Sequence, residues 1–142
     1  MAVRCPCVVA TIFIIPACAG DANLAEVSGT VTLDGRLVQE GSIQFIPIDG
    51  TSGPSIGAVI KDGKYHIERK NGVAVGRNRV ELRAFRETGG QVPDPTGPRG
   101  SKIAERVPAF PPEYNERSTV VRDVKPGSNT INFDINVFAP AK

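Results

Sequence analysis

A chain of 142 residues with 40% hydrophobic side chains has enough apolar material for one packed domain. Seventeen basic residues against fifteen acidic ones leave a formal charge of +2, which excludes the strongly basic footprint of a nucleic-acid-binding surface. Fifteen glycines and twelve prolines, with no tryptophan and 6% aromatics, favour a turn-rich all-β domain over a helical bundle.

The three cysteines, Cys5, Cys7 and Cys18, all lie at the start of the chain, so the domain that follows owes its stability to no disulfide. Residues 1–17 have the layout of an export signal: Arg4 is the only charge, residues 7–15 form an apolar centre, and the small Ala17 precedes Cys18. The apolar stretch is shorter than the about 20 residues a membrane-spanning helix needs. It fits the about 7–15 residue centre of a signal peptide. Ile15-Pro16-Ala17-Cys18 resembles the lipobox of bacterial lipoproteins, with Pro16 where a small or hydroxyl residue is usual. That resemblance implies acylation of the Cys18 thiol, removal of the leader, and a protein held by lipid in the cell envelope, facing the periplasm or exterior. Stable anchoring by acyl chains takes two or more of them. A plain secretory signal cut near Ala19 or Gly20, or a cytosolic chain with an apolar N-terminus, are the alternatives. Cys5-Pro6-Cys7 has the look of a metal or redox pair but sits inside the leader, and the chain beyond Cys18 holds no cysteine and a single histidine to complete such a site.

Residues 18–25 are small and polar, as expected of a tether, and residues 26–138 carry the domain. In 26–33, Val27, Val31 and Leu33 point one way and Ser28, Thr30 and Thr32 the other, the period of a half-buried strand. Asp34-Gly35 follows, a hairpin signal because both positions want φ > 0. The chain returns through residues 36–40 into 42–48, where Ile43 and Phe45 face inward and Asp49-Gly50 ends the strand. Residues 56–60 and 64–68 flank Asp62-Gly63, with Tyr65 and Ile67 sharing a face. In 77–85, Val80, Leu82 and Ala84 oppose Arg79, Glu81 and Arg83. Residues 118–124 and 129–138 form a last pair, with Ile131, Phe133, Ile135 and Val137 on the inner side. Strands spaced about ten residues apart with turns between them predict a β-sandwich.

Residues 87–117 break this rhythm with Pro93, Pro95, Pro98, Pro108, Pro111 and Pro112, and read as one long Pro/Gly-rich loop. Structureless loops beyond about 12–15 residues are usually functional or disordered. Residues 88–101 read as mobile, while Val107, Phe110 and Tyr114 are placed to pin the second half to the sheet.

Several stretches together carry a further likeness: Val27-Ser-Gly-Thr-Val-Thr-Leu-Asp-Gly35, Gly41-Ser-Ile-Gln-Phe-Ile-Pro47, Asp62-Gly-Lys-Tyr65, residues 76–83, Pro111-Pro-Glu-Tyr-Asn115, and Gly127-Ser-Asn-Thr130 before Phe133. In this order they resemble the carboxypeptidase-regulatory-like (transthyretin-like) domain of small lipoproteins of the planctomycete type. The resemblance covers the chain beyond the leader, and Asn78 stands where the family commonly has an aromatic residue. It implies an all-β, seven-stranded transthyretin-like (prealbumin-like) sandwich, and it implies no activity, because a fold hosts many functions.

Candidate chemistry is sparse. His66 is the single histidine and alternates away from Tyr65 and Ile67, so neither a zinc site nor a Ser-His-acid triad is expected. The transthyretin-like class includes a purine-pathway hydrolase whose site uses several histidines and a Tyr-Arg-Gly-Ser end. This chain has one histidine and reads Phe-Ala-Pro-Ala-Lys over 138–142, so that activity is not expected. Carboxypeptidase catalysis is not implied either, since the module accompanies the zinc domain without supplying its ligands. Glu113 and Glu116 beside Tyr114 read as solvated acids rather than a glycosidase pair, and Asp94 alone makes no calcium loop. No catalytic, cofactor or metal residue is therefore assigned. The expected function is a non-enzymatic, lipid-anchored envelope module for binding or structure, with Tyr114 and Asn115 as candidate surface contacts. Carbohydrate or wall-polymer binding and an undetected hydrolase are the alternatives. The expected partners are the membrane, through Cys18, and an envelope protein or polysaccharide.

Overall fold

The computed structural model describes residues 23–137, so the expected leader, the anchor candidate Cys18 and most of the stretch expected as a tether lie outside the described residues. The domain is all-β. Its strands are β1 (Leu24–Leu33), β2 (Arg36–Leu37), β3 (Glu40–Pro47), β4 (Ile56–Lys61), β5 (Lys64–Ile67), β6 (Val73–Ala74), β7 (Gly76–Pro93), β8 (Lys102–Pro108), β9 (Val121–Val124), β10 (Ser128–Thr130) and β11 (Phe133–Ile135). Short 3-10 turns at Arg69–Asn71 and Pro112–Tyr114 are the helical pieces among the described residues.

The strands form one curled, largely antiparallel sheet with the path β10-β1-β5-β4-β3-β7-β8. β10 and β11 pair in parallel with successive halves of β1, and β9 pairs with the start of β7. β9 and β10 are joined by residues 125–127 alone, yet they pair with strands far apart in the sheet order. That short link brings the ends of the sheet together and forces the curl. The Arg122 guanidinium lies 5.1 Å above the centre of the Phe133 ring, where the edges meet. Such a cation–π contact covers the apolar ring while the charged head keeps its water.

Period-two alternation decides what faces inward. Val27, Val31, Ile43, Phe45, Ile60, Tyr65, Ile67, Val80, Leu82, Ala84, Phe133 and Ile135 are all buried in one cluster. Asp34, Asp49 and Asp62 have φ of 50°, 52° and 51°, and the glycine after each is also positive, as the turn signals required. Gly29 lies on the inner face of β1, where a Cβ would overlap the Ile131 carbonyl oxygen. The Tyr65 hydroxyl donates to that same oxygen at 2.7 Å, so β1, β5 and the β10–β11 link meet at one point.

Several sequence expectations need correction. The domain begins before residue 26, since β1 starts at Leu24 and Ala25 is already buried. The strand expected over 129–138 is split: Asn132 Oδ1 accepts from the Thr30 N–H and hydroxyl, replacing backbone pairing between β10 and β11. Pairing ends at Ile135, and Val137, expected inside, is 42% exposed. Asn78 is fully buried and donates from Nδ2 to the Ala74 and Gly76 carbonyls at 2.8 and 2.9 Å, fastening the corner between β6 and β7.

The largest correction concerns residues 87–117, which are not one loop. β7 runs on past the end of β3 and pairs with β8 to form a projecting two-stranded ribbon. Residues 88–90 make a bulge between Glu87 and Gln91, and Pro93 and Pro108 sit at strand ends, where proline is tolerated. The tip is tied rather than loose. Asp94 accepts from the Thr96 N–H and hydroxyl at 2.9 Å, and its own N–H donates to Ser101 O at 2.9 Å. The Thr96 backbone bond holds the Asp94 carboxyl below its ordinary pKa.

Phe45 is fully buried between β4 and β7, whereas Val59 is 73% exposed on the opposite face. Phe45→Ala is expected to cost about 3–5 kcal/mol and Val59→Ala less than about 0.5 kcal/mol in denaturant unfolding. Similar costs for the two would mean the sheet faces are assigned wrongly.

Candidate contact surface

The expected contacts Tyr114 and Asn115 follow one another on the 3-10 turn Pro112–Tyr114, and the turn sends their side chains to different places. Tyr114 is half-buried and packs on the core, lining a cavity of about 580 Å³ with Thr119, Val120, Arg122 and Phe133. Asn115 instead reaches the outer face of the sheet, where its Oδ1 accepts from Arg83 Nε at 2.9 Å. The two residues do not form one site.

The outer face of β7 is organised by an acid that alternation placed in solvent. The Glu81 side chain is only 8% exposed because two guanidiniums lie over it. Arg79 Nη2 donates to Oε1 at 3.2 Å and Arg83 Nη2 to Oε2 at 3.3 Å. Both arginines keep much of their own surface in water, so the triad gains charge-assisted bonds without the full cost of desolvating three ions.

Next along the same face stands Phe85, two residues beyond Arg83 and 66% exposed. It lines a cleft of about 1130 Å³ bounded by residues 34–42 on one side and the base of the ribbon on the other. Its cross-strand neighbour is Pro108, and beyond it Glu87 pairs with Arg106 at 3.3 Å. Sequence reasoning did not single out Phe85. The signal was present: an aromatic side chain at the polar register of an otherwise regular alternation.

The remaining chemistry is dispersed. His66 Nδ1 lies 4.0 Å from Glu26 Oε1 on an open strand surface. Among the described residues no three His, Cys, Asp or Glu side chains converge as a metal site would require, and no helix is long and apolar enough to cross a membrane. Compared with known proteins, the chain matches no protein-family model, no curated protein and no solved structure.

Tyr65 is the described group most perturbed by its surroundings. Burial pushes its hydroxyl well above the usual tyrosine range, while the Arg122 charge acts in the opposite sense. A phenol whose folded pKa is raised stabilises the fold fully below its unfolded pKa. That contribution is lost as pH rises from about 10 toward the folded value. Stability is therefore expected to fall above about pH 10, and Tyr65→Phe to flatten part of that fall in unfolding curves taken from pH 8 to 11. An unchanged alkaline slope in the variant would assign the loss to other groups.

Proposed function

We propose that the chain is a lipid-anchored cell-envelope protein without catalytic chemistry, whose β-domain displays a binding or structural surface. In this reading the curled sheet is the seven-stranded transthyretin-like sandwich of carboxypeptidase-regulatory-like lipoproteins, and Cys18 carries the acyl chains.

The observation that supports display is the direction of the chain. The domain's first described residue, Asn23, accepts through its carbonyl from the Val75 N–H at 2.8 Å, beside the foot of β7. β7 then runs for 18 residues away from that foot and ends in the ribbon tip. At about 3.3 Å per residue such a strand spans up to about 60 Å. A protein tethered just before Asn23 therefore holds the ribbon at its membrane-distal end and the Phe85 cleft partway up. Carbohydrate or wall-polymer binding is the second reading, and the exposed Phe85 beside hydrogen-bonding side chains favours it.

Replacing the candidate anchor tests the first reading. Cys18→Ala is expected to move the protein from the membrane fraction to the soluble envelope fraction and to abolish incorporation of labelled fatty acid. Membrane fractionation and labelling that survive the substitution would refute lipid attachment at Cys18. Crosslinking in intact envelopes to one defined protein would favour a protein partner over a polymer.

A further inference from the structure

Phe85 is held open by the geometry of its strand. Leu82 and Ala84 are buried, so the odd-numbered side chains of β7 project outward, and Phe85 follows Glu81 and Arg83 onto that face. Same-face neighbours along a strand lie about 6.7 Å apart, and cross-strand neighbours about 5 Å. Phe85 thus sits beside the Pro108 ring, flanked by Arg83 on one side and by the Glu87–Arg106 pair on the other. The result is an exposed apolar patch bordered by planar hydrogen-bonding groups, each fixed by a partner: Arg83 by Glu81 and Asn115, Arg106 by Glu87.

Charge selects the ligand. The cleft is lined by five basic and four acidic side chains, so their fields nearly cancel and favour no ligand of strong net charge. A mixture of arginine donors and carboxylate acceptors suits hydroxyl groups, which donate and accept together. The negative face of an aromatic ring attracts positively polarised C–H bonds, such as those along one side of a pyranose. A peptide added as a strand is a poorer fit. β3 stops pairing at Gly41 opposite Ala84, and the bulge after Glu87 leaves a regular free edge on β7 of only Phe85–Glu87.

We propose that this cleft binds a neutral polysaccharide, with Phe85 stacking on a sugar ring while Arg83, Glu87 and Arg106 hydrogen-bond its hydroxyls. The site rests on the cleft alone and holds whether or not Cys18 is acylated.

The test is calorimetric titration of the purified full-length protein with neutral hexasaccharides of glucose, mannose and N-acetylglucosamine, and with a carboxymethylated unfolded polypeptide as the peptide probe. At least one hexasaccharide is expected to bind, with an affinity unchanged between low and high salt. Phe85→Ala should weaken it by about tenfold or more, equivalent to about 1.4 kcal/mol, and Phe85→Trp should retain it. The exposure of Phe85 makes the alanine variant a safe one to fold, and its unfolding curve checks this. The proposal is overturned if no hexasaccharide binds at millimolar concentration, if Phe85→Ala binds as well as the parent, or if binding falls steeply with salt. It is likewise overturned if the unfolded polypeptide alone binds and loses binding in Phe85→Ala.

Discussion

The structure depends on one constraint: alternate side chains of β1 and β7 must enter the same apolar core. Val27 and Val31 from β1, and Val80 and Leu82 from β7, are fully buried there. A strand that slips by one residue exchanges its two faces completely. For β7 that exchange would drive Arg79, Glu81 and Arg83 inward, and each buried ion would cost several kcal/mol. Register is therefore strongly specified along β7. The ribbon inherits it, since Phe85 lies on the same unbroken strand, three residues beyond Leu82 and thus on the opposite face. The packing that buries Leu82 is what leaves Phe85 open.

A second constraint closes the sheet. With β9 fixed to β7 and β10 to β1, the link over 125–127 permits no flat arrangement of the intervening strands. The closure leaves little room at Gly29, Tyr65 and Ile131. There the tyrosine hydroxyl supplies a donor to a carbonyl that the interruption between β10 and β11 leaves out of the ladder. Arg122 reaches over Phe133 at the same seam and lies close enough to influence Tyr65. Tyr65 thus couples packing, hydrogen bonding and titration at the place where the two ends of the sheet approach.

The faces of β1, β3, β5 and the first half of β7 were legible in the sequence because period two is a local property, and the Asp-Gly turns because both residues need positive φ. The ribbon was hidden by composition. Gly89 and Gly90 belong to a bulge and Pro93 and Pro108 to strand ends, yet together with the tip prolines they read as an unstructured loop. Glu81 was placed in water because alternation counts only positions along one strand. Its burial comes from guanidiniums two residues to either side bending back over it. The packing of Tyr114 on the core is legible in its place among Val107 and Phe110, whereas the reach of the adjacent Asn115 to Arg83 follows only from the turn geometry. The expected leader and anchor fall outside the described residues.

Exposed hydrophobic residues are ordinary, and Val59, more exposed than Phe85, shows that exposure alone singles out nothing. Val59 faces Ser42, with Gly57 and Lys61 two residues to either side, and lies outside the cleft that Phe85 lines. Phe85 differs in its surroundings: a proline ring across the strand, two arginines held by carboxylates, and a cleft wall supplied by a separate turn. Leaving such a ring in water forgoes about 1.5–3 kcal/mol that burial would return. The fold could have avoided that loss by ending β7 with β3. Instead the strand continues, and the continuation carries the aromatic ring, the ion pair and Pro108 together, nine residues and about 30 Å beyond the foot of β7. On the anchored reading, that distance holds the cleft clear of the membrane surface and within reach of an envelope polymer.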